Sequence, residues 1–136
     1  MNALIDTGLL LDYLKGEKRA AKAMEGCIHR SISVVTWLEL MADCPDGLSE
    51  PTRGFLRSFE RLSVSESIAD EALRLMTDRR GLPLPHALAW ASANVNQLMY
   101  LTTDARWVSK SDSNVVVPYK SANTLASRTR THHRSA

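Results

Sequence analysis

The sequence predicts a three-layer α/β/α domain built on a central, mainly parallel sheet. Three observations carry this. Short apolar runs rich in β-branched residues alternate with longer stretches of helical periodicity. The resulting order, β-α-α-β-α-α-(β)-α-α-β-β, requires crossovers between parallel strands and puts helices on both faces. Three of the apolar runs are followed closely by an acid, Asp6, Glu39 or Asp104, and the carboxyl edge of an open α/β sheet is where ligands sit.

Ala3 to Ile5 is the first strand, and Asp6-Thr7-Gly8 turns it into a short helix over Leu9, Leu10, Tyr13 and Leu14, closed by Gly16. Residues 17 to 30 are rich in Ala, Lys, Glu and Met and read as a helix, with Ala20, Ala21, Met24 and Ile28 on one face and His29 at its solvated end. Ser31 to Val35 alternates and is β-branched, which marks the second strand. Thr36-Trp37-Leu38-Glu39 has capping-box spacing. Glu39 therefore either closes a helix N-terminus or stands as a second acid at the sheet edge.

Residues 44 to 51 form a breaker-rich loop. A helix is expected over Thr52 to Arg61, then a short edge strand over Leu62 to Val64, then a helix opened by Ser67 and ended by Gly81. Pro85 suits the first turn of the next helix, whose many small residues predict close packing. Gln97 to Thr103 and Asn114 to Pro118 complete the strands.

The chain has 136 residues, enough for one domain with one core, and 44% hydrophobic and 24% charged residues, an ordinary globular composition. No apolar run approaches the roughly 20 residues of a membrane span, and the N-terminus has no secretory pattern. Cys27 and Cys44 lack metal-site or paired spacing, which suits free thiols in a reducing cytoplasm. The net charge of +2 does not by itself demand nucleic acid. Residues 1–121 are expected to form the domain and 122–136 a basic, disordered tail. Its Arg128, Arg130, His132, His133 and Arg134 either touch phosphates or are simply solvated.

If the strands that deliver Asp6, Glu39 and Asp104 are neighbours, three carboxylates face one crevice. Crowded carboxylates repel, and a hard divalent cation relieves them. Such a cation activates water and steadies charge at phosphorus, which suggests phosphodiester hydrolysis.

Five segments, Leu4-Ile5-Asp6-Thr7-Gly8-Leu9-Leu10, Ser33 to Leu40, Leu84 to Ala93, Leu101-Thr102-Thr103-Asp104 and Val117-Pro118-Tyr119, resemble in order and spacing the motifs of PIN-domain ribonucleases, most of all VapC-type toxins of toxin–antitoxin pairs. The resemblance covers nearly the whole chain to Tyr119. It implies a PIN-like α/β/α fold, Mg²⁺ or Mn²⁺ in a cleft of four acidic positions, cleavage of RNA, a homodimer, and a cognate antitoxin. Asp6, Glu39 and Asp104 occupy acidic positions and would be the metal ligands.

The sequence departs from the family pattern at three places. His86 stands where the family has Asp after Pro. Gly8 replaces a polar residue, and Trp107 stands where a further acid is common. Three readings of His86 stay open: a substitute ligand or base, which suits Mn²⁺ better than Mg²⁺; a cation paired with Asp6 or Asp104; or a partly exposed helix-start residue in a decayed site. The functional alternatives are a metal-dependent endoribonuclease toxin with Asp6, Glu39, His86 and Asp104 as catalytic residues, a catalytically inactive PIN-like domain that binds RNA or a protein partner, and a DNA-directed nuclease of the same architecture. Trp37, Trp90 and Trp107 read as core or interface, Lys15, Lys18, Arg19 and Lys22 either as an ordinary solvated face or as contacts for RNA phosphates, and Asp12 and Asp43 as surface charges, Asp12 being the better candidate for a position behind the acids.

Overall fold

The computed structural model describes residues 1–120, so the expected basic tail lies outside the described residues. Five strands, β1 (Asn2–Ile5), β2 (His29–Ser33), β3 (Glu60–Leu62), β4 (Met99–Leu101) and β5 (Val115–Val116), form one sheet in the order β3-β2-β1-β4-β5. All four pairings are parallel. Six helices connect them: α1 (Thr7–Leu14), α2 (Lys18–Glu25), α3 (Val34–Ala42), α4 (Ser49–Leu56), α5 (Glu66–Asp78) and α6 (Leu84–Val95).

Alternation along β1 divides the core between the two faces, because successive side chains of a strand point to opposite sides. Ala3 and Ile5 join Leu9, Leu10, Met24, Ile32 and Leu56 in one cluster; Leu4 joins Leu75, Trp90 and Tyr100 in the other. All three β1 residues are fully buried, as expected of a central parallel strand. The small residues of α6 let it pack tightly, and Ala87, Ala89, Ala91 and Ala93 are all buried.

The topology positions the site. From β1 the chain steps outward to β2 and β3, then returns to the opposite side of β1 with β4 and β5. The switch point lies between β1 and β4, and in open α/β sheets the ligand crevice opens beyond the strand carboxyl ends there.

Several boundaries differ from the sequence reading. The second strand ends at Ser33, two residues early, because the Ser33 hydroxyl accepts from the Val35 N–H at 3.1 Å and caps α3. Thr36 therefore lies inside the helix, and Glu39 is not part of a capping box. The helix expected to run to Arg30 stops at Glu25, and Ile28, expected on its buried face, is 89% exposed. His29, expected at a helix end, belongs to β2 and contacts Glu60 of β3, Nε2 to Oε2 2.6 Å. The fourth helix begins earlier and ends at Leu56, and β3 (Glu60–Leu62) overlaps the expected Leu62–Val64 only at Leu62. Ser65, not Ser67, caps α5 by accepting from the Ile68 N–H.

Candidate active site

The carboxyl ends of β1, β2 and β4, the three central strands, each hand over to an acid-bearing segment. Asp6 is the N-cap of α1, and its Oδ1 accepts from the Thr7 N–H at 2.9 Å. Its Oδ2 accepts from the Thr102 hydroxyl, just beyond β4, at 2.7 Å. The Asp6 backbone N–H donates to the Leu101 carbonyl at 2.9 Å, which fixes this residue against β4. Asp6 thus caps α1 with one oxygen and ties the end of β4 with the other.

Glu39 reaches the same edge from α3. The Thr7 hydroxyl donates to Glu39 Oε1 at 3.0 Å and lies 2.8 Å from the Thr36 hydroxyl. Thr7 thereby ties Asp6 through its N–H and Glu39 through its hydroxyl. Burial pushes the Glu39 carboxyl above its ordinary value, the Thr7 hydrogen bond opposes this, and the negative charges of Asp6 and Asp43 add to the rise.

Asp104 lies beyond β4 and is 5% exposed. Arg106 grips it with two nitrogens, Nε to Oδ1 at 3.1 Å and Nη2 to Oδ2 at 2.8 Å, and the Arg106 N–H also donates to Oδ1. The Asp104 N–H donates to the Thr102 hydroxyl at 3.1 Å, so Thr102 joins the Asp6 carboxylate to the Asp104 backbone, whereas Thr7 joins the Asp6 and Glu39 carboxylates to each other.

His86 is buried, at 6% exposure, not partly exposed. It enters from the first turn of α6, with Nδ1 3.6 Å from Asp6 Oδ2 and 3.1 Å from the Tyr100 hydroxyl. The first distance is too long for a hydrogen bond, but it is a close electrostatic contact. The rings of Trp90, Tyr100 and Trp107 surround the imidazole with centroids at 6.3, 5.6 and 5.8 Å. Burial pushes Asp6 up, but the attraction of His86 and the Thr102 hydrogen bond outweigh it, and the carboxyl sits below its ordinary value. Burial and the Asp6 charge hold the Tyr100 phenol well above its usual range, so it stays protonated.

All four predicted site residues therefore stand at one sheet edge. In ligand type they fit a hard divalent cation, since three carboxylates and a threonine-rich surround supply oxygen donors. They are not gathered about one point: among the described residues no group of three or more His, Cys, Asp or Glu is arranged to hold a metal ion. Arg106 occupies Asp104, and His86 faces Asp6 where a fourth acid would stand.

The sequence reading missed Arg106, Thr102 and Tyr100. The Asp-x-Arg spacing at 104 and 106 was the available signal for the first; Tyr100 reads as an ordinary strand aromatic. Asp12 is not a surface charge: it is 3% exposed and accepts from the Tyr119 hydroxyl at 2.8 Å, while Asp43 is exposed as expected.

No family model matches the chain, and no curated protein matches it. Solved structures do. A chain of a toxin–antitoxin complex from Klebsiella pneumoniae is 29% identical, covers 88% of this chain and 100% of its own, and superposes with a TM-score of 0.78. FitAcB from Neisseria gonorrhoeae is 17% identical, with 85% and 97% covered and a TM-score of 0.68. VapBC2 from Rickettsia felis, bound to a promoter DNA fragment, is 17% identical, with 85% and 96% covered and a TM-score of 0.64. The chain has the fold of a VapC-type PIN toxin, as the motif resemblance implied.

Proposed function

We propose that the chain is the toxin of a toxin–antitoxin pair and a metal-dependent endoribonuclease. The observation that carries this is that Asp6, Glu39 and Asp104 stand at the switch-point edge of the sheet, with the Asp6 and Glu39 carboxylates joined through Thr7 and the Asp6 carboxylate joined to the Asp104 backbone through Thr102. The likeness to chains solved in toxin–antitoxin complexes supports the toxin assignment and an antitoxin partner.

Asp6 and Glu39 would hold Mg²⁺ or Mn²⁺, with Asp104 as third ligand once Arg106 is displaced. When bound, the ion lowers the pKa of a coordinated water and stabilises charge at the scissile phosphate. The chain's own residues do the rest. Thr7 and Thr102 orient the carboxylates by fixed hydrogen bonds. Arg106, whose side chain is 40% exposed, would then be available to pair with an RNA phosphate oxygen. The protonated Tyr100 fixes the His86 ring behind Asp6.

A second reading has its own support in His86 and Arg106. Both put protein donors where a cation would sit, as expected if the domain binds RNA or a protein partner without cutting. The test is cleavage of single-stranded RNA by purified protein with Mn²⁺ or Mg²⁺, against Asp6→Asn. Metal-dependent cleavage lost in Asp6→Asn supports the first reading, and no cleavage by the parent with either ion leaves the second. Homodimerisation belongs to the same proposal and is checked by light scattering.

Among the described residues no helix is long and apolar enough to cross a membrane.

A further inference from the structure

Across α3 from the acidic edge lies a pocket of about 310 Å³ lined by Trp37, Arg53, Leu56, Arg57, Phe59 and Arg61. Trp37 and Glu39 project roughly 160° apart around a helix of 3.6 residues per turn. The buried side of α3, marked by Thr36 and Leu40, lies between them. The pocket is thus separate from the cleft but shares its helix.

Three guanidinium groups line it, from α4, from the turn after α4 and from β3. Two of them rest over the Trp37 ring: Arg61 Cζ is 4.3 Å and Arg53 Cζ 5.4 Å from its centroid. None of the three has a carboxylate partner among the described residues; the ion pairs there engage other arginines, and the nearby Glu60 is taken by His29. Three uncompensated charges in one concavity are a large local excess on a chain of net charge +2. Like charges held together attract an anion strongly. The planar guanidinium fork matches a phosphate oxygen pair, and stacking on Trp37 orients two forks beforehand, which lowers the entropy lost on binding.

We infer that this pocket is a phosphate-binding exosite for single-stranded RNA, engaging backbone phosphates of the strand outside the segment held at the acidic edge. The inference rests on the proposal that the chain acts on RNA, but it does not require that the chain cut it. Phosphate contacts of this kind set affinity and position without reading sequence.

The test is binding of a short fluorescein-labelled single-stranded RNA, followed by anisotropy in EDTA so that cleavage plays no part. Arg57 and Arg61 are exposed, so the R57A/R61A double variant keeps the fold, which a thermal melt verifies. Expected is about a tenfold or greater loss of affinity and a salt slope shallower by roughly 0.7 for each lost phosphate contact. The corresponding double lysine variant should recover part of the affinity but not all of it, because charge returns without the fork. Unchanged affinity and slope in the alanine variant would overturn the exosite. So would tighter arginine-dependent binding of an oligo-glutamate peptide than of the RNA, which would make the pocket a protein-docking surface. Failure of the parent to cut RNA with Mn²⁺ would instead strike the catalytic proposal and leave this result standing.

Discussion

Arg106 holds the buried Asp104 carboxylate in a two-nitrogen grip, at 2.8 and 3.1 Å. In the proposed metal-bound state the guanidinium and a divalent cation would compete for the same oxygens. The Asp104 side chain is 3% exposed and that of Arg106 is 40% exposed, so the arginine is the partner free to leave.

Arg106→Ala should therefore act in opposite directions with and without metal. In EDTA it removes the two-nitrogen grip on a buried carboxylate, at a cost of about 1–3 kcal/mol. In Mn²⁺ the loss should be recovered, since a ligand that binds only the folded state stabilises it. Urea unfolding in the two conditions measures both. An equal loss in each would mean that Asp104 never meets the ion.

His86→Asp restores the fourth acid of the family pattern and places a second carboxylate against Asp6. Without metal the pair should repel and lower stability by about 2 kcal/mol. With Mn²⁺ the variant should bind the ion more tightly than the parent and cut RNA faster. Calorimetric titration of Mn²⁺ into both proteins gives the comparison, and unchanged affinity would place His86 outside the metal's reach.

Thr7→Val keeps shape but removes the hydroxyl that donates to Glu39 Oε1. Glu39 then loses the hydrogen bond that opposes its upward shift. Stability should fall by about 1–2 kcal/mol at neutral pH, and the Glu39 carboxyl titration, followed by NMR, should move further up. A downward move would contradict the bridging role.

A pH effect is expected from Asp112, away from the cleft. Burial pushes its carboxyl up, but the Ser109 N–H and the Arg79 guanidinium, at 2.8 and 2.7 Å, hold it below its ordinary 3.8. A depressed acid contributes stability that is full above the unfolded value and is lost as pH falls through the folded one. Asp112→Asn should thus be less stable than the parent by about 2 kcal/mol at pH 7, and the gap should close as pH drops below 3.8. Urea midpoints across that range show it; a gap independent of pH would assign the loss to packing alone.

The sheet and its acidic edge were legible because both follow from local pattern. Ala3 to Ile5 has the apolar run of a doubly buried strand, and Asp6 and Asp104 each lie just beyond a strand. The end of β2 was not legible: Val34 and Val35 are β-branched and continue the strand pattern, while the Ser33 cap that stops it is a side-chain hydrogen bond. Contacts distant in sequence were hidden for the same reason. Asp12 is buried by Tyr119, 107 residues away, and His29 meets Glu60 only because β2 pairs with β3. The charge state of the cleft was half visible, since His86 stood out against the family pattern and Arg106 did not.

The most direct measurement is saturable Mn²⁺ binding, read by water-proton relaxation, for the parent and Asp6→Asn under identical conditions. Expected is binding to one class of site in the parent and its loss in the variant, because Asp6 is linked through Thr7 to the Glu39 carboxylate and through Thr102 to the Asp104 backbone. Equal binding by the two proteins, or none by the parent, would contradict a metal site at this sheet edge.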